Sequence, residues 1–135
     1  MRFAFKTSPQ NTAWAQMLAV WQAADDIDVY ESGWTFDHFY PIFSDSSGPC
    51  LEGWTTLTAL AQATTRLRLG TLVTGIHYRH PAVLANMAAA LDIISNGASS
   101  WGSAPGGTKR NLAPTASSSA ASGNASTASR KRARC

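Results

Sequence analysis

The chain has 135 residues, 44% of them hydrophobic and 10% aromatic, which suits one packed domain and no more. Residues 1–97 carry a net charge of −3 and residues 98–135 a net charge of +6, so the overall +3 gives no argument for nucleic-acid binding. Cys50 and Cys135 lack the spacing of a metal site or disulfide scaffold, and no apolar run suits a signal peptide or membrane helix, so we expect a cytoplasmic protein without metal or membrane partner.

The first 25 residues have the pattern of a strand followed by a helix. Alternating phenylalanines within Arg2–Thr7 predict a short strand. A capping Asn11 or Thr12 then precedes apolar residues at three- and four-residue spacing, which predicts an amphipathic helix to about Asp25. The apolar residues that define this helix are Trp14, Met17, Leu18 and Trp21.

The same pattern occurs twice more before residue 97. An aromatic loop of roughly twenty residues follows the second strand, and loops this long are often functional. Three strand–helix units of about 30 residues predict a parallel sheet with crossover helices, either open or closed into a barrel. The predicted elements are strands at Ile27–Ser32 and Leu67–Thr74, the loop Gly33–Gly53, a helix at Trp54–Ala63 and a helix from Pro81 to a left-handed cap at Asn96-Gly97.

Three segments are more specific than this periodicity: Glu31–Phe39, Leu69–Gly75 and Tyr78–Ala85, with the sequences ESGWTFDHF, LGTLVTG and YRHPAVLA. Together they resemble the luciferase-like monooxygenase superfamily, and within it the oxidoreductases that use the deazaflavin coenzyme F-420. The resemblance covers nearly all of residues 1–97. It implies an α/β fold, an incomplete (β/α)8 TIM barrel cut after three βα units, with the cofactor across the C-terminal ends of the strands.

Asp37 and His38 follow the second predicted strand, at the end where active sites of such barrels lie. The resemblance implies that His38 handles a proton beside the reacting carbon of the cofactor and that Asp37 orients it. An imidazole titrates near neutral pH, which suits a substrate that loses a proton as hydride moves to the cofactor. Without the resemblance, His38 is a surface-loop histidine beside an aspartate that caps a turn.

The resemblance also implies a cofactor-supporting bulge at the end of the third strand, with a non-proline cis peptide near Leu72-Val73. Thr71, Leu72, Val73 and Thr74 are therefore predicted to bind the cofactor, which is coenzyme F-420 or, as the alternative, FMN. Composition alone describes the same residues as an ordinary buried strand.

Other side chains in these segments are less informative. Three aromatic residues either wall a substrate pocket or only cover the top of the barrel: Trp34, Phe36 and Tyr40. His77 and His80 precede the third predicted helix and are expected to be polar loop residues rather than catalytic groups. Cys50 has no adjacent Lys or His to activate it and is expected to be an inert thiol.

The resemblance implies an oxidoreductase that transfers hydride between a small organic substrate and the deazaflavin. The alternative within the superfamily is an FMN-dependent monooxygenase that uses molecular oxygen, since both cofactors occur there. The expected partner of this chain is the small-molecule substrate, and full-length relatives are expected to include homo-oligomers.

Residues 98–135 depart from the pattern that precedes them. They contain no Val, Ile, Phe, Tyr, Asp or Glu, so we expect a disordered, low-complexity tail that builds no strand. One hypothesis is a non-enzymatic interaction protein whose basic tail binds anionic polymers. The other is a frameshift, because Ala, Ser, Gly, Arg and Pro have G/C-rich codons. A base restored at Gly97 permits a strand, a Gly-rich turn and an acidic helix.

A barrel cut after three strands is expected to be unstable alone and inactive. Two sheet edges are left free, and the faces that lose their opposite wall are predicted to carry Phe3, Phe5, Val29, Leu67 and Leu69. The chain is therefore expected to aggregate or be degraded.

We predict that the gene has lost one base within a G/C run at codon 97. Sequencing this locus from independent DNA preparations, together with closely related genes, is expected to show an uninterrupted frame in the relatives. An intact run, with the same basic tail in those relatives, would instead support the interaction protein.

Overall fold

The structure, a computed structural model, describes residues 1–104. Its strands form one parallel sheet in the order β1-β2-β3-β4, and a helix connects each strand to the next. No helix among the described residues is long and apolar enough to cross a membrane. The elements are β1 (Phe3–Lys6), α1 (Trp14–Asp25), β2 (Tyr30–Thr35), α2 (Gly53–Ala63), β3 (Arg68–Gly75), α3 (Pro81–Ile94) and β4 (Ser99–Ala104).

The bounds of α2 and α3 agree with their predictions to within a residue or two. Pro81 is the first residue of α3, and the Nδ1 atom of His80 caps the helix by accepting from the Ala82 amide at 3.2 Å. After the helix, Asn96 and Gly97 have φ angles of 58° and 84°, which confirms the predicted left-handed cap. His80 is therefore the N-cap residue of α3.

The prediction for the start of α1 is wrong, because its N-cap is Ala13 rather than Asn11 or Thr12. Asn11 lies at a φ of 49°. Its side-chain amide donates to the carbonyl oxygen of Asp45 at 3.0 Å, in the loop between β2 and α2. Because the Asn11 side chain binds this distant loop, it does not cap α1.

The prediction for the start of β2 is also wrong, because the strand begins at Tyr30 rather than Ile27. The Tyr30 amide donates to the Ile27 carbonyl at 3.1 Å and closes a turn. The Arg66 guanidinium holds this turn by donating to the carbonyls of Asp25, Ile27 and Tyr30 at 3.0, 2.9 and 2.6 Å. These carbonyls therefore bind a side chain that lies far along the chain.

The hydrophobic core lies between the sheet and the helices. Phe5 of β1 packs edge-on against Trp21 of α1, with ring centroids 5.0 Å apart. The Trp21 indole N–H donates to Thr7 Oγ1 at 2.8 Å, so its polar atom is paired inside the core. The buried members of the cluster are Met17, Trp21, Trp54, Leu57, Leu60, Ala61, Leu69 and Leu91.

The other face of the sheet is open and mainly polar. The register pairs Ala4 with Ser32, Lys6 with Trp34, and Ser32 with Arg68, so these side chains share the face away from the helices. A shallow cavity of about 190 Å³ on this face is lined by four of the five, together with Arg2, Phe3 and Glu31.

The predicted inward-facing set is therefore wrong for Phe5, Leu69 and Val29, whereas Phe3 lines the cavity on the open face as predicted. Phe5 and Leu69 pack into the core on the helix side, and Leu67 is also buried, at 2% exposed. Val29 is 51% exposed and precedes β2. Since side chains alternate along a strand, Phe5 of β1 and Leu69 of β3 share the face that the helices cover.

The prediction that residues 98–135 build no strand is wrong for Ser99–Ala104, which form β4 beside β3. The register pairs Leu69 with Ser99 and Gly75 with Ala104, and it shifts between Thr71 and Thr74. Strand pairing uses backbone groups, so small polar residues can extend an existing sheet edge. The rest of the predicted tail, residues 105–135, lies outside the described residues.

Leu57→Ala is predicted to destabilise the chain by about 2–5 kcal/mol, because a fully buried side chain leaves a cavity among α1, α2 and β3. Leu57 is 0% exposed, whereas Ile93 in α3 is 77% exposed and offers a matched control. Urea unfolding followed by circular dichroism measures both variants. Equal losses for Leu57→Ala and Ile93→Ala would contradict this position of the core.

Candidate functional site

The candidate site lies where β2 and β3 end side by side. Thr35, the last residue of β2, pairs with Thr71 of β3. Phe36, Asp37 and His38 follow β2 directly, so they lie at the carboxyl edge of the sheet, beside the last residues of β3. Ligands of parallel sheets with crossover helices bind at this edge.

Asp37 is buried, at 1% exposed, and both of its carboxylate oxygens accept hydrogen bonds. Oδ2 accepts from Arg79 Nη1 at 2.6 Å and from the Gly75 amide at 3.1 Å, and Oδ1 accepts from Arg79 Nη2 at 2.8 Å. Arg79 also pairs with Glu52, whose Oε2 accepts from the Thr55 amide at 2.6 Å. One guanidinium therefore joins the loops that follow β2 and β3 to the start of α2.

Electrostatics keep this network charged. Burial lowers the pKa of Arg79, but the hydrogen bonds and charges of Asp37 and Glu52 outweigh burial and raise it. Burial raises the pKa of Glu52, but hydrogen bonds from the Thr55 side chain and from the amides of Thr55 and Trp54, together with the charge of Arg79, outweigh burial and lower it. Arg79 and Glu52 are therefore both charged at neutral pH.

His38 is half-buried beside this network. Its ring packs edge-on against Phe36, with centroids 4.8 Å apart, and its carbonyl oxygen accepts from Cys50 Sγ at 3.2 Å. Burial lowers the pKa of His38 below the ordinary 6.5, the charge of Asp37 raises it, and the charge of Lys6 lowers it, with a net lowering. The neutral imidazole therefore dominates at pH 7.

The relation between Asp37 and His38 is indirect. Within the described part of the chain, Nδ1 of His38 is buried and has no hydrogen-bond partner. The Asp37 carboxylate does not hold that nitrogen, and its oxygens bind Arg79 and Gly75 instead. Asp37 therefore acts on His38 through its charge and through the backbone that the two residues share.

The four residues predicted to bind the cofactor divide into two pairs. Leu72 is 47% exposed and Val73 is half-buried, so both are accessible. Thr71 and Thr74 are both 0% exposed, and their hydroxyls hydrogen-bond to each other. The bond between Leu72 and Val73 is cis, which confirms the position that the resemblance implied.

Trp34 and Tyr40 stand in different places. Trp34 belongs to β2 rather than to the predicted loop, and it pairs with Lys6 of β1. Its indole N–H donates to Ser32 Oγ at 3.0 Å, along the open face of the sheet. Tyr40 is half-buried in the loop two residues after His38. Only Trp34 is thus fixed by the sheet.

Arg79 and Glu52 belong to this network but were not predicted as site residues. Arg79 stands inside the YRHP segment, and Glu52 precedes a predicted helix, where an acidic residue suits the N-terminus. These signals were present, but neither indicates which charges pair. Among the described residues, no three His, Cys, Asp or Glu side chains lie close enough to hold a metal ion.

Comparisons with known proteins identify the family and the fold of the chain. Residues 1–115 match the model of the luciferase-like monooxygenase family. No curated protein matches the chain. Solved structures do match, and the chain spans less than a third of each of the three described next.

A coenzyme F420-dependent tetrahydromethanopterin reductase from Methanopyrus kandleri is 26% identical, with a TM-score of 0.68 over 84% of this chain and 29% of the reductase. An F420-dependent secondary alcohol dehydrogenase in complex with an F420-acetone adduct is 23% identical, with a TM-score of 0.64 over 76% of this chain and 31% of the dehydrogenase. An FMN complex of a type II Baeyer-Villiger monooxygenase from Pseudomonas putida is 18% identical, with a TM-score of 0.70 over 86% of this chain and 32% of the monooxygenase. These likenesses show the incomplete (β/α)8 barrel fold.

Cys50 is predicted to react slowly with thiol reagents, because burial raises its pKa to about 11. From an ordinary value near 9, the thiolate fraction falls about a hundredfold while its nucleophilicity rises about tenfold. A disulfide reagent at pH 8 should therefore modify Cys50 of a Cys135→Ser variant about ten times more slowly than free cysteine. Urea should restore the free rate, and fast reaction without urea would contradict the buried thiol.

Proposed function

The chain belongs to the luciferase-like monooxygenase family, and we propose that its strand ends form the proton-handling and ring-supporting part of an oxidoreductase that uses coenzyme F-420. The observation that supports this is the half-buried imidazole of His38, whose Nδ1 has no hydrogen-bond partner among the described residues, at the same sheet edge as the accessible Leu72. The activity belongs to the complete protein, since the chain spans 29% of the reductase that it resembles.

The residues at this edge fit a flat, partly apolar ring. Leu72 is 47% exposed and Val73 is half-buried, so together they offer an apolar surface at the end of β3. The unpartnered Nδ1 of His38 is a polar atom that a bound ring or substrate can satisfy. Thr71 and Thr74 would support this surface from behind, because their hydroxyls bind each other.

His38 would accept the substrate proton. The bound deazaflavin supplies a ring carbon that accepts hydride. A small organic substrate that gives up hydride from carbon also loses a proton from its adjacent heteroatom, and the imidazole lone pair takes that proton. Because burial lowers the pKa of His38 below 6.5, the base form is present at pH 7. Turnover should rise with pH through that lowered pKa and then stay level.

Asp37 and Lys6 would have opposite effects on proton transfer to His38. The negative charge of Asp37 stabilises the imidazolium that forms when His38 takes the proton, and Lys6 on β1 opposes it. Because the two charges act in opposite directions on its pKa, His38 could accept the substrate proton and release it afterwards. In this proposal Asp37 is a positioning and electrostatic residue.

Trp34 and Tyr40 would border the substrate. Trp34 stands on the open face beside Lys6, and Tyr40 follows His38 in the loop. An aromatic wall next to a proton-accepting group suits a small, partly apolar organic molecule.

An FMN-dependent monooxygenase that uses oxygen is the second candidate. It is kept because the family model that matches residues 1–115 describes luciferase-like monooxygenases, and an FMN complex shares the fold of this chain with a TM-score of 0.70. We place the deazaflavin first because the F420-dependent reductase has 26% identity, whereas the FMN protein has 18% and bears on the fold alone.

The test uses the chain with its frame restored at codon 97 and follows cofactor fluorescence during titration. We expect binding of F-420 at least about tenfold tighter than that of FMN. His38→Asn should keep this affinity and lower hydride transfer from a panel of small alcohols and amines by about 10²–10⁴-fold, because the proton acceptor is gone. His77→Asn, at an exposed loop position, is the matched control and should leave both unchanged.

Two outcomes would contradict the proposal. Tight FMN binding without F-420 binding would reverse the order of the candidates. Unchanged hydride transfer in His38→Asn would remove His38 from the proton step.

A further inference from the structure

Arg79 holds together groups from three different parts of the chain. It lies between β3 and α3, and its side chain is 10% exposed. Its guanidinium meets the Asp37 carboxylate at 2.6 and 2.8 Å and pairs with Glu52 at the N-cap of α2. A planar fork with several fixed donors can satisfy two carboxylates at once, which a single ammonium group cannot do with the same geometry.

These contacts fix the backbone on which His38 stands. Asp37, the residue before His38, is also held by the Gly75 amide at 3.1 Å. On the other side, the His38 carbonyl accepts from Cys50. A Cβ on Gly53 would lie 2.6 Å from the Phe36 carbonyl oxygen, so α2 packs directly against this segment. The segment therefore has little freedom while Arg79 is in place.

The same contacts determine the electrostatic environment of the His38 imidazole. Asp37 and Lys6 act on the imidazole from the loop after β2 and from β1, and the Cys50 thiol lies at its carbonyl. Behind Asp37 stand the charges of Arg79 and Glu52. Because Arg79 occupies both oxygens of Asp37, it offsets the negative charge nearest to the imidazole.

We infer that Arg79 is the positioning residue of this site: by gripping Asp37 and Glu52, it sets the place of the His38 ring and screens the Asp37 charge from it. The inference rests on the proposed role of His38 as the proton acceptor. In this proposal Arg79 contacts neither the substrate nor the cofactor, and it acts on His38 only through Asp37.

The test is an NMR titration of the imidazole resonances in the 135-residue chain, with the His38 signals assigned from a His38→Asn sample. Arg79→Gln leaves the Asp37 charge unscreened, so we expect the pKa of His38 to rise by about one unit. Arg79→Lys keeps the charge but loses the fork. It should give a smaller rise, together with a weaker nuclear Overhauser contact between the rings of His38 and Phe36.

Arg66→Lys is the matched control. Arg66 also makes several hydrogen bonds, but its partners are the carbonyls of Ala24, Asp25, Ile27 and Tyr30, from the end of α1 to the first residue of β2. It should lower stability and leave the pKa of His38 unchanged.

An unchanged pKa in Arg79→Gln, or an equal rise in Arg66→Lys, would overturn the inference. If Arg79→Gln does not fold, Arg79→Lys decides, and unchanged pKa and ring contact in that variant would be the contrary result. The titration needs neither cofactor nor turnover, so it separates the two claims. Loss of the pKa effect refutes only the role of Arg79, and normal turnover in His38→Asn refutes only the proton step.

Discussion

The buried ion pair between Asp37 and Arg79 is the interaction on which the rest of this site depends. The side chains are 0% and 10% exposed, so neither charge has water as an alternative partner. Removing one partner of such a pair costs about 3–5 kcal/mol, a large share of the stability of an ordinary domain. Arg79 also binds Glu52, and Asp37 also binds the Gly75 amide. These contacts connect the ends of β2 and β3 to the start of α2.

The sequence predicts elements well where their signals are local. Pro81 and the Asn96-Gly97 pair mark both ends of α3, and each signal acts within a few residues. The starts of α1 and β2 could not be predicted, because distant groups decide them. Asn11 binds a carbonyl 34 residues away, and Arg66 binds that of Tyr30 36 residues away. Alternation along β1 and β3 was visible, but the face that the helices would cover was not.

The site was predictable in outline and not in its contacts. His38 and the cis bond at Leu72-Val73 came from the resemblance to a family, which carries positions along the chain. Thr71 and Thr74 were expected to bind the cofactor with Leu72, yet Thr71 faces the same side as the core residue Leu69, and the register shift after it brings Thr74 to the buried side as well. Arg79 reaches Asp37 across 42 residues, and no sequence pattern states that pairing.

An incomplete barrel can bring the candidate site residues together because its parallel strands are joined by crossover helices. Each crossover helix returns the chain to the same end of the sheet, so the segments after consecutive strands meet at one edge. In the proposed function, the proton acceptor after β2 and the ring support in β3 therefore come together at one edge as soon as two units have folded. Trp34 and Tyr40 would border only part of the substrate, because the open face with Lys6, Ser32 and Arg68 has no opposite wall among the described residues. A complete barrel would place residues from later units there, so the proposal assigns cofactor support to the first units and most of the substrate choice to later ones.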